Sequence, residues 1–174
     1  MPGTGPDPRP PARLVRRPAM DADSAGLIAL IAGCWAEYPG CVLDIDGEEP
    51  WLRAPATAYA GKGGTLWVVE SDGEVVASVG LVPAAGGPRL AEGELKSLYV
   101  ARAGRRRGLG AELVGVVEAA ARLGGMAVLR LWSDSRFGAA HRLYERLGYR
   151  RTGRSRELHD LSGTTEHEFV REIG

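Results

Sequence analysis

Apolar and β-branched residues cluster in short runs that predict strands in the first half of the chain. Two such runs, residues 65–70 and 74–83, are separated by Ser71-Asp72-Gly73, which is a strong hairpin signal. Residues 13–17 and 92–100 are further strand candidates on the same pattern. These four runs predict the first half of a sheet.

Apolar residues at helical spacing mark three longer segments. The first follows two candidate N-caps, Asp21 and Asp23, and ends at Pro39-Gly40. The second covers residues 108–123, and the third ends at Gly148. Their apolar positions are Leu27, Ile31, Cys34, Trp35 and Tyr38 in the first helix, Leu109, Leu113, Val116, Val117 and Ala120 in the second, and Ala140, Leu143, Tyr144 and Leu147 in the third.

Shorter segments complete the order of elements. Residues 127–132, 149–152 and 165–173 are strand candidates, and residues 51–60 are a short helix candidate against which Pro55 argues. A strand that leads through a glycine-containing loop into a helix and then into a further strand is a βαβ crossover. Such a crossover predicts an α/β domain.

Length and composition fit one domain with its own core. A chain of 174 residues buries about 70% of its unfolded surface without disulfides or metals. We predict a single domain over residues 12–174, preceded by a disordered extension, residues 1–11, that is rich in Pro and Gly. A loop containing Gly and Pro is predicted for residues 84–91.

The charge balance gives no global electrostatic field. Lys plus Arg and Asp plus Glu both total 22, so the formal net charge is zero. The arginine runs in residues 105–107 and 150–156 lack interleaved aromatic residues, which argues against a nucleic-acid partner. The longest apolar run, residues 27–32, is far shorter than the ~20 residues of a membrane span, so we expect no membrane association.

The cysteines and histidines predict neither a redox pair nor a metal site. The spacing of Cys34 and Cys41 matches neither a CxxC pair nor a zinc-ligand pattern. The 3 histidines lie far apart, with no HExxH motif. We therefore expect free thiols, no metal cofactor and, without a secretory leader, a cytoplasmic protein.

The candidate chemistry centres on the loop that follows residues 92–100. Three arginines, residues 105–107, lead into Gly108 and Gly110 at the start of a helix. Glycine lets backbone amides approach an anion closely, and the helix N-terminus adds the positive end of its dipole. The pattern predicts a phosphate-binding loop. An arginine-rich surface turn that enters an ordinary helix is the alternative.

Two other classes of glycine-rich loop fit less well. A nucleoside-triphosphate P-loop needs Lys and then Ser or Thr after its last glycine, and Ala111-Glu112 stands there. A dinucleotide fingerprint needs a third glycine where Leu113 stands. The first class is excluded and the second is disfavoured.

Three motifs in the same order resemble one known family. Arg105-x-x-Gly108-x-Gly110, shortly after Val100, resembles the pyrophosphate-binding motif of the GNAT superfamily, the acyl-CoA-dependent N-acyltransferases. Residues 94–100 are similar to the family's fourth strand, and residues 140–149 to its helix ending in Tyr-x-x-Leu-Gly-Tyr/Phe. The resemblance implies a mixed, mostly antiparallel central sheet with helices on both faces and a splayed strand pair that holds acyl-CoA.

The resemblance also implies acetyl-CoA as co-substrate and an amine of a small molecule or protein as acceptor. The backbone amides of Leu98, Tyr99 and Val100 are then implied to hold the thioester carbonyl and the pantetheine arm as an oxyanion hole does. Their side chains are interpreted as ordinary strand residues. The implied pyrophosphate loop comprises Arg105, Arg106, Arg107, Gly108, Leu109, Gly110 and Ala111.

Two side chains are implied to move protons. Glu94 occupies the position from which some relatives draw a general base. Glu92, on the same face of the strand, is the reserve candidate. The alternative is that Glu94 only forms a salt bridge, for example with Lys96. Tyr144 matches the tyrosine that protonates the coenzyme thiolate, since a phenol with a pKa of about 10 keeps its proton at neutral pH. A plain core tyrosine is the alternative. His141, one turn earlier, orients Tyr144 or is solvated.

One position departs from the family pattern. Many relatives carry, before this tyrosine, an asparagine that binds the pantetheine arm, and Phe137 stands there. Ser133 or Ser135 substitutes for it or caps the third helix. We predict an N-acetyltransferase that works by direct attack of the amine; a non-catalytic acyl-CoA-binding or sensing module is the alternative. The sequence leaves open the acceptor and whether the chain forms a homodimer.

Overall fold

A computed structural model describes residues 13–84 and 92–174, in which seven strands form one sheet. The predicted extension, residues 1–11, and the predicted loop beyond Ala84 lie outside the described residues. The order across the sheet is β1-β2-β3-β4-β5-β7-β6. The strands are β1 (Leu14–Pro18), β2 (Thr65–Ser71), β3 (Glu74–Pro83), β4 (Glu92–Val100), β5 (Val128–Asp134), β6 (Arg150–Glu157) and β7 (Thr165–Glu172).

Helices cover both faces of this sheet. They are α1 (Ser24–Trp35), α2 (Pro55–Ala60), α3 (Leu109–Leu123) and α4 (Gly138–Arg146). One hydrophobic cluster joins α1 and α2 to the sheet, and a second joins α3 and α4 to it. Only the β4–β5 pair is parallel among the strand pairs of the described residues. The predicted α/β fold, with a mixed and mostly antiparallel sheet, is confirmed.

The predicted hairpin forms because its turn residues accept the required backbone geometry. Ser71 pairs with Glu74, so Asp72 and Gly73 are the only residues between β2 and β3. Both have positive φ angles, 51° and 85°. Two such residues in succession match the right-handed twist of the flanking strands, which is why Asp-Gly favours this turn.

The start of α1 agrees with the prediction in position only: Asp23 is its N-cap residue, but neither aspartate makes a side-chain capping hydrogen bond to it. Asp21 and Asp23 form a 3₁₀ turn before the helix. The Asp21 carboxylate accepts the backbone N–H of Thr57 at 2.9 Å, at the first turn of α2. The Asp23 carboxylate pairs with Arg17 at 2.8 Å. Both side chains therefore tie α1 to other elements, and α1 ends at Trp35, before Pro39-Gly40.

Two more predicted boundaries shift for local reasons. The candidate helix at 51–60 divides into a 3₁₀ turn and α2, with Pro55 at the first position of α2, where its missing N–H costs nothing. β5 extends through Ser133 and Asp134 because it pairs with β7 as far as Glu166. Phe137 therefore occupies the N-cap of α4 without a side-chain cap, and neither Ser133 nor Ser135 caps that helix.

The buried face of α3 is rotated slightly from the predicted one. Val114 and Ala121 are buried, whereas Val116 and Ala120 are half-buried.

No helix in the described ranges is both long enough and apolar enough to cross a membrane.

The strands β4 and β5 separate in the middle of the sheet. They pair only where Glu92–Glu94 faces Val128–Arg130, as far as the described residues extend. β4 then runs on to Val100 and β5 to Asp134 without a shared ladder. The gap leaves backbone groups of β4 unpaired and opens the sheet to a ligand.

Candidate active site

A β-bulge in β4 decides which side chains face the gap. The register of β3 with β4 shifts between Ser78 and Gly80, and Ser97, opposite this shift, has a positive φ of 52°. The Ser78 hydroxyl donates to the Ser97 carbonyl at 2.8 Å and holds the bulge. An extra residue reverses the alternation of side chains along a strand. Tyr99 therefore lines the same cavity as Glu94.

Two cavities meet at the gap. The glycine-loop cavity, of ≈ 360 Å³, lies between the end of β4, the N-terminus of α3 and α4. The carboxylate cavity, of ≈ 350 Å³, lies between the start of β4, the loop that joins α1 to α2, and the loop that joins β6 to β7. Both are lined by Leu98, Tyr99, Phe137 and Ala140. Ligands in the two cavities would touch at these shared residues.

The glycine-loop cavity presents a row of free backbone amides. Gly108 is the N-cap of α3 with a φ of 81°, and Arg106 also has a positive φ, 62°. Glu112 is the first residue of the helix with a bonded N–H, which it donates to Gly108 at 3.0 Å. The amides of residues 106–111 have no hydrogen-bond acceptor among the described residues. Such a row at a helix N-terminus binds anions.

The predicted arginines divide into three different settings. Arg105 donates to Glu37 and to the Val100 carbonyl, both at 2.8 Å, and the bond to Glu37 is the main cause of its raised pKa. Arg106 lines the glycine-loop cavity. Arg107 is exposed and does not line it, unlike the other predicted loop residues. Arg105 thus fixes the loop rather than offering a free charge at its rim.

Sequence reasoning missed one cation of this cavity. Arg146, at the end of α4, lines the wall opposite the loop. Within the described ranges neither Arg106 nor Arg146 forms an ion pair. Arg146 comes from a distant part of the chain, so no local motif could have grouped it with the loop.

The backbone of β4 turns two of the three predicted amides toward the gap. Ala101 donates its N–H to Val76 of β3 at 2.9 Å. Backbone groups alternate in direction along an antiparallel strand, so the amide of Tyr99 also faces β3. The amides of Leu98 and Val100 face the opposite way, into the gap.

The carboxylate cavity contains a group of charged side chains. Glu94 lines it, and its carboxylate accepts from the Lys96 ammonium at 2.8 Å. Glu49 lies in the same cavity, bonded to the indole N–H of Trp51 and in no ion pair among the described residues. Burial raises the pKa of Glu49, and the hydrogen bond from Trp51, together with the charges of Lys96 and Lys62, only partly offsets this rise.

Glu49 is a residue that sequence reasoning missed. It lies in the irregular connection between α1 and α2, where no periodicity marks a position as buried.

Glu92, the reserve base, lines neither cavity. It pairs with Arg130 of β5, which also holds the buried Glu168 at 2.5 Å. The parallel ladder brings Arg130 beside Glu92, and this pairing argues against the predicted role of Glu92 as a reserve base.

Tyr144 lies on α4 at the wall of the carboxylate cavity. Its ring packs against Tyr149 and Phe169, with centroids at 6.0 and 5.8 Å. Its hydroxyl has no hydrogen-bond partner among the described residues, and burial raises its pKa.

His141 lines neither cavity and is half-buried against Phe169, and burial lowers its pKa. It is therefore only partly solvated, and it forms no hydrogen bond with the Tyr144 hydroxyl among the described residues.

A sequence comparison adds the decisive observation. The profile of the acetyltransferase (GNAT) family matches residues 29–149, which include both the glycine loop and α4. The chain belongs to this family. No curated protein matches the sequence.

Solved structures of GNAT proteins share the fold at low identity. An acetyltransferase of the GNAT family from Staphylococcus aureus Mu50 is 18% identical, with a TM-score of 0.78 over 93% of this chain and 100% of that one. The acetyltransferase yncA from Salmonella typhimurium, solved with its cofactor acetyl-CoA, is 20% identical, with a TM-score of 0.68 over 92% and 94%. Ribosomal-protein-alanine N-acetyltransferase from Brucella melitensis is 21% identical, with a TM-score of 0.69 over 91% and 99%.

The departure from the usual GNAT pattern at Phe137 replaces a polar contact with an apolar one. Phe137 lines both cavities, and its ring lies 4.6 Å from that of Tyr38. Ser133 is buried in β5 and lines the carboxylate cavity, while Ser135 is exposed and lines neither. Neither serine lines the glycine-loop cavity, so neither replaces the asparagine there.

The described residues of this GNAT protein contain no group of three or more His, Cys, Asp or Glu side chains that could hold a metal ion.

Cys34 and Cys41 are free thiols. Cys34 is buried beside the Arg105 guanidinium, and burial raises its pKa. A thiol with a raised pKa is a poor nucleophile at neutral pH, so an acyl-cysteine route finds no support here.

Proposed function

We propose that this protein transfers an acetyl group from acetyl-CoA to a primary amine by direct attack. The observation that carries the proposal is the meeting of two cavities of different chemistry at one gap in the sheet. Transfer requires a thioester and an amine to approach at one point in a fixed orientation. Membership of an acetyltransferase family supports the same reaction class.

Acetyl-CoA is proposed to occupy the glycine-loop cavity. The free amides of residues 106–111 suit its pyrophosphate, with Arg106 and Arg146 as cations. The amides of Leu98 and Val100 suit the thioester carbonyl, where they would stabilise the oxyanion that forms during attack. The apolar ring of Phe137 is then a neighbour of the pantetheine arm.

The amine is proposed to enter from the carboxylate cavity and to lose its proton there. An ammonium ion has no free electron pair, so a base must take a proton before or during attack. Glu49 suits this role better than Glu94, since Glu94 is already occupied by Lys96, whereas Glu49 has no ion-pair partner among the described residues and burial raises its pKa. When the C–S bond breaks, the Tyr144 hydroxyl is proposed to donate to the departing thiolate, which its position on the wall of the carboxylate cavity supports.

Two measurements test the proposal together. Calorimetric titration with acetyl-CoA should show binding, and release of free CoA over a panel of amines should show turnover that EDTA leaves unchanged. Binding without turnover for any amine would favour a non-catalytic acyl-CoA-binding module. Absence of binding would contradict both functions.

The first mutational prediction separates the two carboxylates. Glu49→Gln should lower kcat/KM at neutral pH by roughly 10²–10⁴ and recover as rising pH supplies neutral amine without a base. In the parent protein, burial raises the pKa of Glu49. As the pH is lowered, activity should therefore begin to fall at a higher pH than it would for a Glu with the ordinary pKa of about 4.3.

Glu94→Gln is the matched comparison in the same cavity. It should give a smaller loss without alkaline recovery, because it removes only the partner of Lys96. Full pH–rate profiles of both variants decide the assignment. Alkaline recovery in Glu94→Gln alone would return the role of base to Glu94, the sequence-based prediction.

A further inference from the structure

We infer that the acceptor is a small-molecule primary amine with a compact aromatic or apolar body, bound in the carboxylate cavity rather than presented by a protein. The inference rests on the proposed function and narrows its acceptor. Three features of the cavity carry it: a bridge across one side, the aromatic rings that stand among its polar wall residues, and the position of its unpaired carboxylates.

The bridge joins the two loops that line the cavity from opposite sides. The Val42 N–H donates to the Ser162 hydroxyl at 2.8 Å, and this hydroxyl is 3.2 Å from the Val42 carbonyl. The Leu161 N–H donates to the Glu48 carboxylate at 2.6 Å. Residues on both sides of the bridge, such as Glu49 and Asp160, line the cavity. The cavity therefore has a closed side where an extended peptide would need an open groove.

The volume enclosed is that of a small-molecule site. Pockets for small ligands measure about 300–1,000 Å³, and this cavity measures ≈ 350 Å³. A small amine fits this volume with the bridge in place. An extended peptide would meet the bridge on that side of the cavity.

Aromatic rings form much of the wall. The indole N–H of Trp35 donates to the Tyr99 hydroxyl at 3.2 Å, and that of Trp51 donates to Glu49. The Tyr59 hydroxyl is 2.7 Å from that of Ser97. These polar atoms are satisfied within the protein, so the rings offer the ligand mainly apolar surface. Such surface favours an apolar body over a hydroxylated or charged one.

Most carboxylates of the cavity already have cationic partners. Glu94 pairs with Lys96, and Glu166 pairs with Arg156 at 2.6 Å. Glu49 and Asp160 form no ion pair within the described ranges. Asp160 is bonded to the Thr164 N–H at 2.7 Å, at the end of the cavity formed by the β6–β7 loop. Glu49, beside Lys96 of β4, is thus the carboxylate that receives the ammonium group near the gap.

The test compares two acceptors on the full-length protein. Phenethylamine combines an ammonium group with a compact apolar body, and a short peptide with a free N-terminal alanine represents a protein acceptor. The kcat/KM for phenethylamine should exceed that for the peptide by at least roughly tenfold. A second comparison uses the double variant Glu48→Ala/Ser162→Ala, which removes the bridge contacts. It should raise KM for phenethylamine by at least about tenfold, as expected for three lost hydrogen bonds, with acetyl-CoA affinity unchanged.

The control is Glu74→Ala/Ser155→Ala, which removes the same side-chain types at exposed positions away from both cavities. It should leave both KM and acetyl-CoA affinity unchanged. A peptide preferred over phenethylamine, or an unchanged KM in the bridge variant, would overturn this inference while leaving the proposed function intact. If acetyl-CoA binds but neither acceptor releases CoA, the proposed function fails and this inference fails with it.

Discussion

Replacing Tyr144 with phenylalanine should lower kcat by roughly 10²–10⁴ while leaving acetyl-CoA affinity nearly unchanged. The substitution removes only a hydroxyl that lies at the carboxylate cavity without a partner among the described residues. The ring contacts with Tyr149 and Phe169 are kept, so the packing of α4 should be kept as well. Steady-state kinetics with an acceptor identified by screening, together with calorimetry for acetyl-CoA, measure both quantities.

The pKa of Tyr144 makes the expected result more specific. Burial raises it, so the phenol stays protonated over the whole assay range and donates a hydrogen bond to the thiolate as the C–S bond breaks. A proton passed on to the sulfur leaves a tyrosinate that takes one back from solvent, so the phenol is restored in each turnover. The same burial makes tyrosinate costly, so the alkaline limb of the parent pH–rate profile should not reflect loss of the Tyr144 proton. Tyr149→Phe is the matched control, since that hydroxyl contacts Glu118 at 3.4 Å and lines neither cavity. Equal losses in the two variants would make Tyr144 a core residue only.

Those parts of the fold that depend on neighbouring residues in the sequence were predictable. The Asp72-Gly73 turn requires positive φ angles that these residue types accept, so the hairpin follows from local chemistry. Gly108 marks the junction of loop and helix for the same reason. The family motifs placed Tyr144 and Glu94 at one cavity although they are distant in sequence.

The remaining features depend on contacts that no local pattern encodes. The bulge at Ser97 needs the hydroxyl of Ser78 on another strand, and this bulge is what brings Tyr99 to the face that Glu94 occupies. Asp21 resembles a cap of its own helix, but it caps α2 because the two helices are neighbours in space. Glu49 becomes a candidate base only because folding places it, half-buried, in the carboxylate cavity beside β4.

Replacing Gly108 with glutamate should weaken acetyl-CoA binding by at least roughly a hundredfold, because placing like charges together costs several kcal/mol. Gly108 is the N-cap of α3, within the row of free amides proposed to hold the pyrophosphate. A carboxylate there would repel that group, and a side chain at a φ of 81° would strain the loop. A Cβ at Gly108 would meet no atom within 4 Å, so the global fold should survive.

Gly115→Glu provides the control for this prediction, since it adds the same charge to the same helix. Gly115 is exposed on α3, its Cβ would also meet nothing within 4 Å, and it lines neither cavity. Calorimetry should give a parent-like dissociation constant for Gly115→Glu and weak or undetectable binding for Gly108→Glu, with circular dichroism reporting the fold of both. Parent-like affinity in Gly108→Glu would remove the glycine loop from the cofactor site. Only Gly108 belongs to the row of free amides at the helix N-terminus. Equal weakening of acetyl-CoA binding in both variants would therefore mean that net charge, rather than the loop geometry, controls binding.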